Sequence, residues 1–180
     1  MNPAVVLPTF DAYLADRGLR FDSVIIGGSA LVLLGVVTRF TDDCDVLDPD
    51  IPEAIRTAAS HFAKEHGLDD GWLNSRAHEF TSVPGCLPEG WRARLRVAFE
   101  GKAMRLETLG HFDLLCTKLV ALVDRGIDYK DCVALAPSAD DLHAAWPFIV
   151  QYEGNDDSRE VYWIPTARRA LGRLAKELGL

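Results

Sequence analysis

VIIGGSALVLLGVVTRFTDDCDV, residues 24–46, is the stretch on which the reading of this chain turns. An apolar run, Val24-Ile25-Ile26, delivers the chain to Gly27-Gly28-Ser29, a helix-forming segment follows, and acids gather at Asp42, Asp43 and Asp45. Glycines after a strand let the backbone approach a ligand and take positive φ. N–H groups at a helix start attract an anion such as phosphate. On an extended segment side chains alternate faces, so Asp43 and Asp45 point the same way and Cys44 and Val46 the other. Two carboxylates on one face repel unless a cation lies between them. Each half has an ordinary alternative: a turn with Ser29 as helix N-cap, and a solvated acidic turn.

Working outward, Phe21–Ile26 reads as a buried strand, Ser29 to about Val36 as a helix and Asp43–Leu47 as a second strand. Upstream, the pattern predicts a helix over about residues 8–18, capped by Thr9 and stopped by Gly18. Downstream, Pro52 opens a helix to about residue 66, closed by Gly67. Residues 69–80 read as a loop with a short turn, and Pro84, Gly85, Pro88 and Gly90 mark a break. Arg92–Phe99 and Met104–Leu109 read as a hairpin turned at Glu100-Gly101-Lys102. Residues 111–124, 139–152 and about 157–178 read as helices. This order is α+β rather than repeating βαβ. It predicts a mixed sheet flanked by helices with a helical C-terminal third: an α/β core over 1–110 and a helical region over 111–180 packed on it.

Composition narrows the function classes. The chain has 180 residues, 48% hydrophobic and 26% charged, as for a globular domain. The longest apolar run is too short and too interrupted to span a bilayer, and the N-terminus lacks the basic start and cleavage pattern of a signal peptide, which predicts a cytoplasmic protein without a membrane partner. Cys44, Cys86, Cys116 and Cys132 have neither zinc spacing nor a disulfide framework; Cys116 and Cys132 read as core packing. A net charge of −8 argues against coating nucleic acid by charge alone.

Three further features carry chemistry. Lys118 interrupts an apolar stripe formed by Leu114, Leu115, Ala121 and Leu122. A buried cation there needs an anionic partner, a triphosphate or the Asp43/Asp45 pair, or else it snorkels to the core edge. Asp128 and Asp131, three apart, share a face if their segment is helical; the alternative is a pair of helix-start acids favoured by the dipole. In RARLRVAF, residues 92–99, Arg92, Arg94 and Arg96 alternate with apolar residues, giving a basic strip suited to a phosphate backbone, a solvated face or a protein interface.

The GGS turn, Arg39, and the T-x-D-x-D of Thr41, Asp43 and Asp45 together resemble the nucleotidyltransferase-fold superfamily, whose signature is a GG/GS turn followed by DxD. G-G-S-A-L, R-x-T-x-D-x-D, the GWLN at 71–74 and the later lysine-plus-aspartate pair are most similar to the AbiEii-type toxin branch and its small relatives. The resemblance covers about residues 21–135. It implies that Gly27, Gly28, Ser29, Arg39 and Thr41 bind nucleotide and that Asp43 and Asp45 hold Mg²⁺ or Mn²⁺, metals suited to carboxylate and water ligands. It also gives Lys118, Asp128 and Asp131, with Arg125 and Leu135 completing the motif, catalytic parts beside Asp43 and Asp45. Glu107 is the candidate third metal carboxylate. The implied activity is transfer of a nucleotidyl group from an NTP to a hydroxyl on RNA or protein, with a possible toxin–antitoxin setting and an antitoxin-type protein partner. The alternative is an inactive module on the same fold that binds nucleotide or a partner.

Overall fold

The computed structural model describes residues 1–152 and 159–180. The chain folds as two compact units, one of Met1–Val83 with Arg92–Leu109, the other of Pro84–Trp91 with Gly110–Leu180.

The first unit is built on a five-stranded mixed sheet of order β3-β2-β1-β5-β4, with β1 Phe21–Ile26, β2 Cys44–Asp48, β3 Leu73–Asn74, β4 Arg96–Glu100 and β5 Met104–Thr108. β1 is central: it runs antiparallel to β2 and parallel to β5. Val24, Ile25 and Ile26 are all buried, as a strand covered on both faces requires. The expected hairpin is present, with β4 antiparallel to β5.

Three helices belong to this unit: α1 Pro3–Ala15, α2 Gly27–Leu33 and α3 Glu53–His66. The first starts earlier than the sequence pattern suggests. Asn2 caps it, its side chain accepting from Ala4 N–H at 3.2 Å, and Pro3 opens it. Proline suits a first helical turn, where its missing N–H has no partner to lose. Thr9 therefore lies inside the helix and donates to Val5 O. An aromatic cluster of Phe10, Tyr13, Phe62 and Trp72 joins α1 to α3 and to the approach to β3, with Trp72 Nε1 donating to Ala59 O at 3.1 Å. Buried Asp11 fixes α1 to the β4–β5 turn by accepting from the N–H groups of Lys102, Ala103 and Met104. Gly101 is required there, because a β-carbon would stand 2.3 Å from the carboxylate.

The predicted strand over residues 92–99 is corrected in its first half. Trp91–Arg94 form a 3-10 turn, so Arg92 and Arg94 leave the alternation and only Arg96 stands on the strand. Arg92 instead pairs with Asp48 at 3.1 Å. The second unit is helical: α4 His111–Arg125, α5 Tyr129–Ala134, α6 Ala139–Tyr152 and α7 Ile164–Leu178, the last entered through a π-helical turn at Arg159–Trp163. Residues 157–158 of the expected last helix lie outside the described residues. Leu114, Leu115, Leu119, Ala145, Ile149, Ala167 and Leu174 form its core. Trp163 Nε1 donates to Ile149 O at 2.7 Å, joining the segment before α7 to α6. No helix among the described residues is long and apolar enough to cross a membrane.

Candidate functional site: a glycine turn flanked by Asp45 and Arg39

Helix α2 begins at Gly27, not at Ser29 as the sequence suggests. Gly27 has φ +77°, a conformation that disfavours side chains. A β-carbon built on it would stand 2.8 Å from Asp45 Oδ2. The glycine is thus what lets the Asp45 carboxylate rest against the turn. Gly28 plays the same part for the opposite charge. Its β-carbon would meet Thr41 Cγ2 at 2.8 Å and Arg39 Nη2 at 3.2 Å. One residue of the turn faces a carboxylate and the next a guanidinium.

Ser29 neither caps α2 nor faces solvent. The N-cap of α2 is Ile26, without a side-chain bond, and Ser29 is 1% exposed. Its hydroxyl donates to Asp43 O at 2.6 Å, and the Thr41 hydroxyl, 3.2 Å from it, reaches the same carbonyl at 3.1 Å. These two hydroxyls set where the Asp43 backbone enters β2. Both residues stand where expected, but as placed they brace the segment that carries the acids.

Asp45 stands on β2 and Asp43 one residue before it, and Asn74 lies beside both. Asn74 pairs with Asp45 in the parallel β2–β3 register, and residues paired across neighbouring strands project to the same side. From that side Asn74 Nδ2 donates to Asp43 Oδ2 at 3.2 Å. Asn74 is itself buried, and its Oδ1 accepts from Arg76 N–H. Sequence reasoning gave it no role; the only signal was its place in the GWLN stretch. Beside Asp43 lies an open pocket of about 470 Å³, lined by Asp42, Asp69, Gly71, Trp72 and Arg76 among others.

Between the acids, Cys44 turns inward and is fully buried. Burial pushes its thiol up to about 12, and the neighbouring Asp45 carboxylate adds to the rise. It is a core residue with no thiolate to offer a metal.

Glu107 is not brought to this pair. In the sheet it stands across β1 from Asp48, in the row of Val24, whereas Asp45 is in the row of Ile26. Two strand spacings, about 10 Å, separate β5 from β2. Its carboxylate pairs with Arg105 at 2.9 Å. Among the described residues no three His, Cys, Asp or Glu side chains gather as a metal site.

In the helical unit, Lys118 is 6% exposed on α4, as its place in an apolar stripe implies. Its ammonium lies 2.8 Å from Asp131 Oδ2 and 3.1 Å from Asp128 Oδ2. The two acids do not share a helical face. Asp128 is the N-cap of α5, with φ +66°, and Asp131 lies in the first turn. α4 ends at Gly126, so the chain bends between Lys118 and the acids and brings all three together. Cys132 beside them is also buried; burial and the Asp128 carboxylate push its thiol up to about 12, against the pull of Lys118.

A family model described as "Nucleotidyltransferase of unknown function (DUF6036)" matches residues 8–136. The chain belongs to that family. The match takes in all five strands and continues through α4 and α5, so it includes both charged clusters of this DUF6036 protein. No curated protein and no solved structure matches the chain.

Chemically, the turn region of this DUF6036 protein has the parts for holding a phosphorylated ligand with a divalent ion. Mg²⁺ is commonly held by one or two carboxylates together with substrate phosphates and water. Asp43 and Asp45 are the carboxylates this region could offer such an ion: Gly27 leaves room for Asp45 against the turn, and Asn74 donates to Asp43. Arg39, on the other side of the turn, is a planar donor suited to phosphate oxygens.

Proposed function

We propose that this chain is a Mg²⁺- or Mn²⁺-dependent nucleotidyltransferase that moves a nucleotidyl group from an NTP to a hydroxyl on RNA or protein. The observation that carries the reading is the Gly27-Gly28 turn, with Asp45 against one glycine and Arg39 against the other. Membership of a nucleotidyltransferase family supports the reaction class.

In this reading Asp43 and Asp45 hold the ion, and Arg39 and the Gly27-Gly28 backbone receive phosphate oxygens. Ser29 and Thr41 fix the distance between turn and acids through Asp43 O. The acceptor oxygen attacks the α-phosphorus, the bond to the bridging oxygen breaks, pyrophosphate leaves, and the acceptor's proton passes to water. A bound Mg²⁺ would supply charge neutralisation for the departing pyrophosphate. Most of the rate would come from positioning and charge neutralisation. Lys118, Asp128 and Asp131 enter this proposal as a set: the two acids hold the lysine in one position, and a part in transfer requires that it exchange a carboxylate for a phosphate. A cytoplasmic location, the AbiEii-like toxin character and an antitoxin-type partner belong to the same proposal and rest on the sequence motifs.

The experiment is incubation of the protein with each labelled NTP, Mg²⁺ and total RNA, or with itself as acceptor, scoring transferred label. Label transfer lost in Asp45→Asn supports the reading. Equal transfer by Asp45→Asn and wild type would refute it. One observation favours the non-catalytic module instead: Glu107 is engaged by Arg105 and does not join Asp43 and Asp45. That reading expects NTP binding without transfer in the same experiment.

A further inference from the structure

On the Arg39 side of the turn lies a second pocket, of about 330 Å³, lined by Asn2, Ala4, Val32, Val37, Arg39 and Phe40 among others. Its walls are largely apolar. Phe40, one of them, is 76% exposed, the largest exposure among the described large apolar side chains. A bare aromatic ring in water has no role in the core and invites a flat apolar partner. Arg39 belongs both to this pocket and to the turn, because its guanidinium stands over Gly28. A basic group beside an apolar recess matches the charge pattern of a nucleotide, which is anionic at one end and flat and apolar at the other. The pocket beside Asp43 is polar instead, lined by Asp42, Asp43 and Asp69 together with Arg76.

We infer that Phe40 and the pocket behind it are the nucleobase subsite of this protein, with Arg39 as the hinge between base and phosphates. The inference rests on the nucleotide reading above and adds to it which residues hold the base. Stacking on an exposed aromatic ring is tolerant of base identity, so the subsite takes purines and pyrimidines alike.

The test is titration calorimetry with ATP, GTP, CTP, UTP and inorganic tripolyphosphate, each with Mg²⁺, on wild type, Phe40→Ala and Phe40→Trp. Phe40→Ala is expected to weaken NTP binding about tenfold and to leave tripolyphosphate binding unchanged, while Phe40→Trp keeps wild-type affinity. Because the ring is exposed, the thermal midpoint should not move, which shows that the variant is folded. NTP affinity unchanged in Phe40→Ala, or tripolyphosphate binding as tightly as every NTP, would overturn the subsite and leave the phosphate site standing. Binding of neither NTP nor tripolyphosphate would overturn the nucleotide reading and the subsite with it.

Discussion

The Lys118–Asp128–Asp131 triad and the Gly27–Asp45 region each bring acids and a base near one another, under opposite conditions. In the triad, Lys118 and Asp131 are 6% and 3% exposed and lie in direct ionic contact. Charges taken out of water must satisfy one another, because desolvation is costly. At the turn, Asp43 and Asp45 are half-buried and Arg39 is exposed. There Asp45 lies against Gly27 and Arg39 against Gly28, the next residue of the chain. A closed buried cluster holds a fold together, whereas half-exposed charges stay within reach of a ligand from solvent. The proposed ligand site is accordingly the turn, and the triad is expected to serve stability first.

The largest effect is expected at the triad. Lys118→Ala leaves buried Asp131 and half-buried Asp128 without their cation and should lower the unfolding free energy by about 3–5 kcal/mol, read by urea denaturation. Unchanged stability with abolished label transfer would break the contrast, because the lysine would then serve substrate rather than fold. At the turn, Gly27→Ala forces a side chain into positive φ and against Asp45; about 1–3 kcal/mol is expected, with loss of divalent-ion binding measured by Mn²⁺ titration. Asn74→Ala removes one hydrogen bond to Asp43 and should cost about 1 kcal/mol, while weakening Mn²⁺ affinity more than its stability effect suggests. If Asn74→Ala leaves Mn²⁺ affinity intact, Asp43 needs no bracing and the reading of the turn as the ligand site weakens.

The smallest effect concerns Asp11, a buried carboxylate satisfied by backbone rather than by a cation. Burial pushes its pKa up, but the N–H groups of Lys102, Ala103 and Met104 outweigh burial and hold it below the ordinary carboxylate value. A depressed pKa gives stability that is present above the unfolded value, about 3.9, and is lost as pH falls through the folded value. Unfolding followed from pH 6 down to pH 3 (about the useful range for carboxylates) should show wild type losing more stability on its acid limb than Asp11→Asn. Parallel limbs would show that Asp11 adds nothing specific.

Much of this was legible in residue order. The Gly27-Gly28 bend and the burial of Lys118 follow from period and composition, because each is a local property of strand or helix. Other features depend on chain packing that no local pattern carries. Ser29 and Thr41 read as ligand groups, but twelve residues of chain fold back and give both hydroxyls the Asp43 carbonyl. Arg92 reads as part of a basic strip until a 3-10 turn delivers it to Asp48. Asn74 reads as unremarkable because its importance is a register fact: only β2–β3 pairing sets it beside Asp45. Asp128 and Asp131 read as helix neighbours, yet a bend after Gly126 is what carries both to Lys118.

The most direct test of the central claim is Mn²⁺ binding, followed by electron paramagnetic resonance, in the presence and absence of NTP, on wild type and on the Asp43→Asn/Asp45→Asn double variant. The account predicts that wild type binds Mn²⁺ and binds it more tightly with NTP present, and that the double variant, still folded, loses both. Mn²⁺ held equally by wild type and double variant, or indifferent to NTP in both, would contradict it.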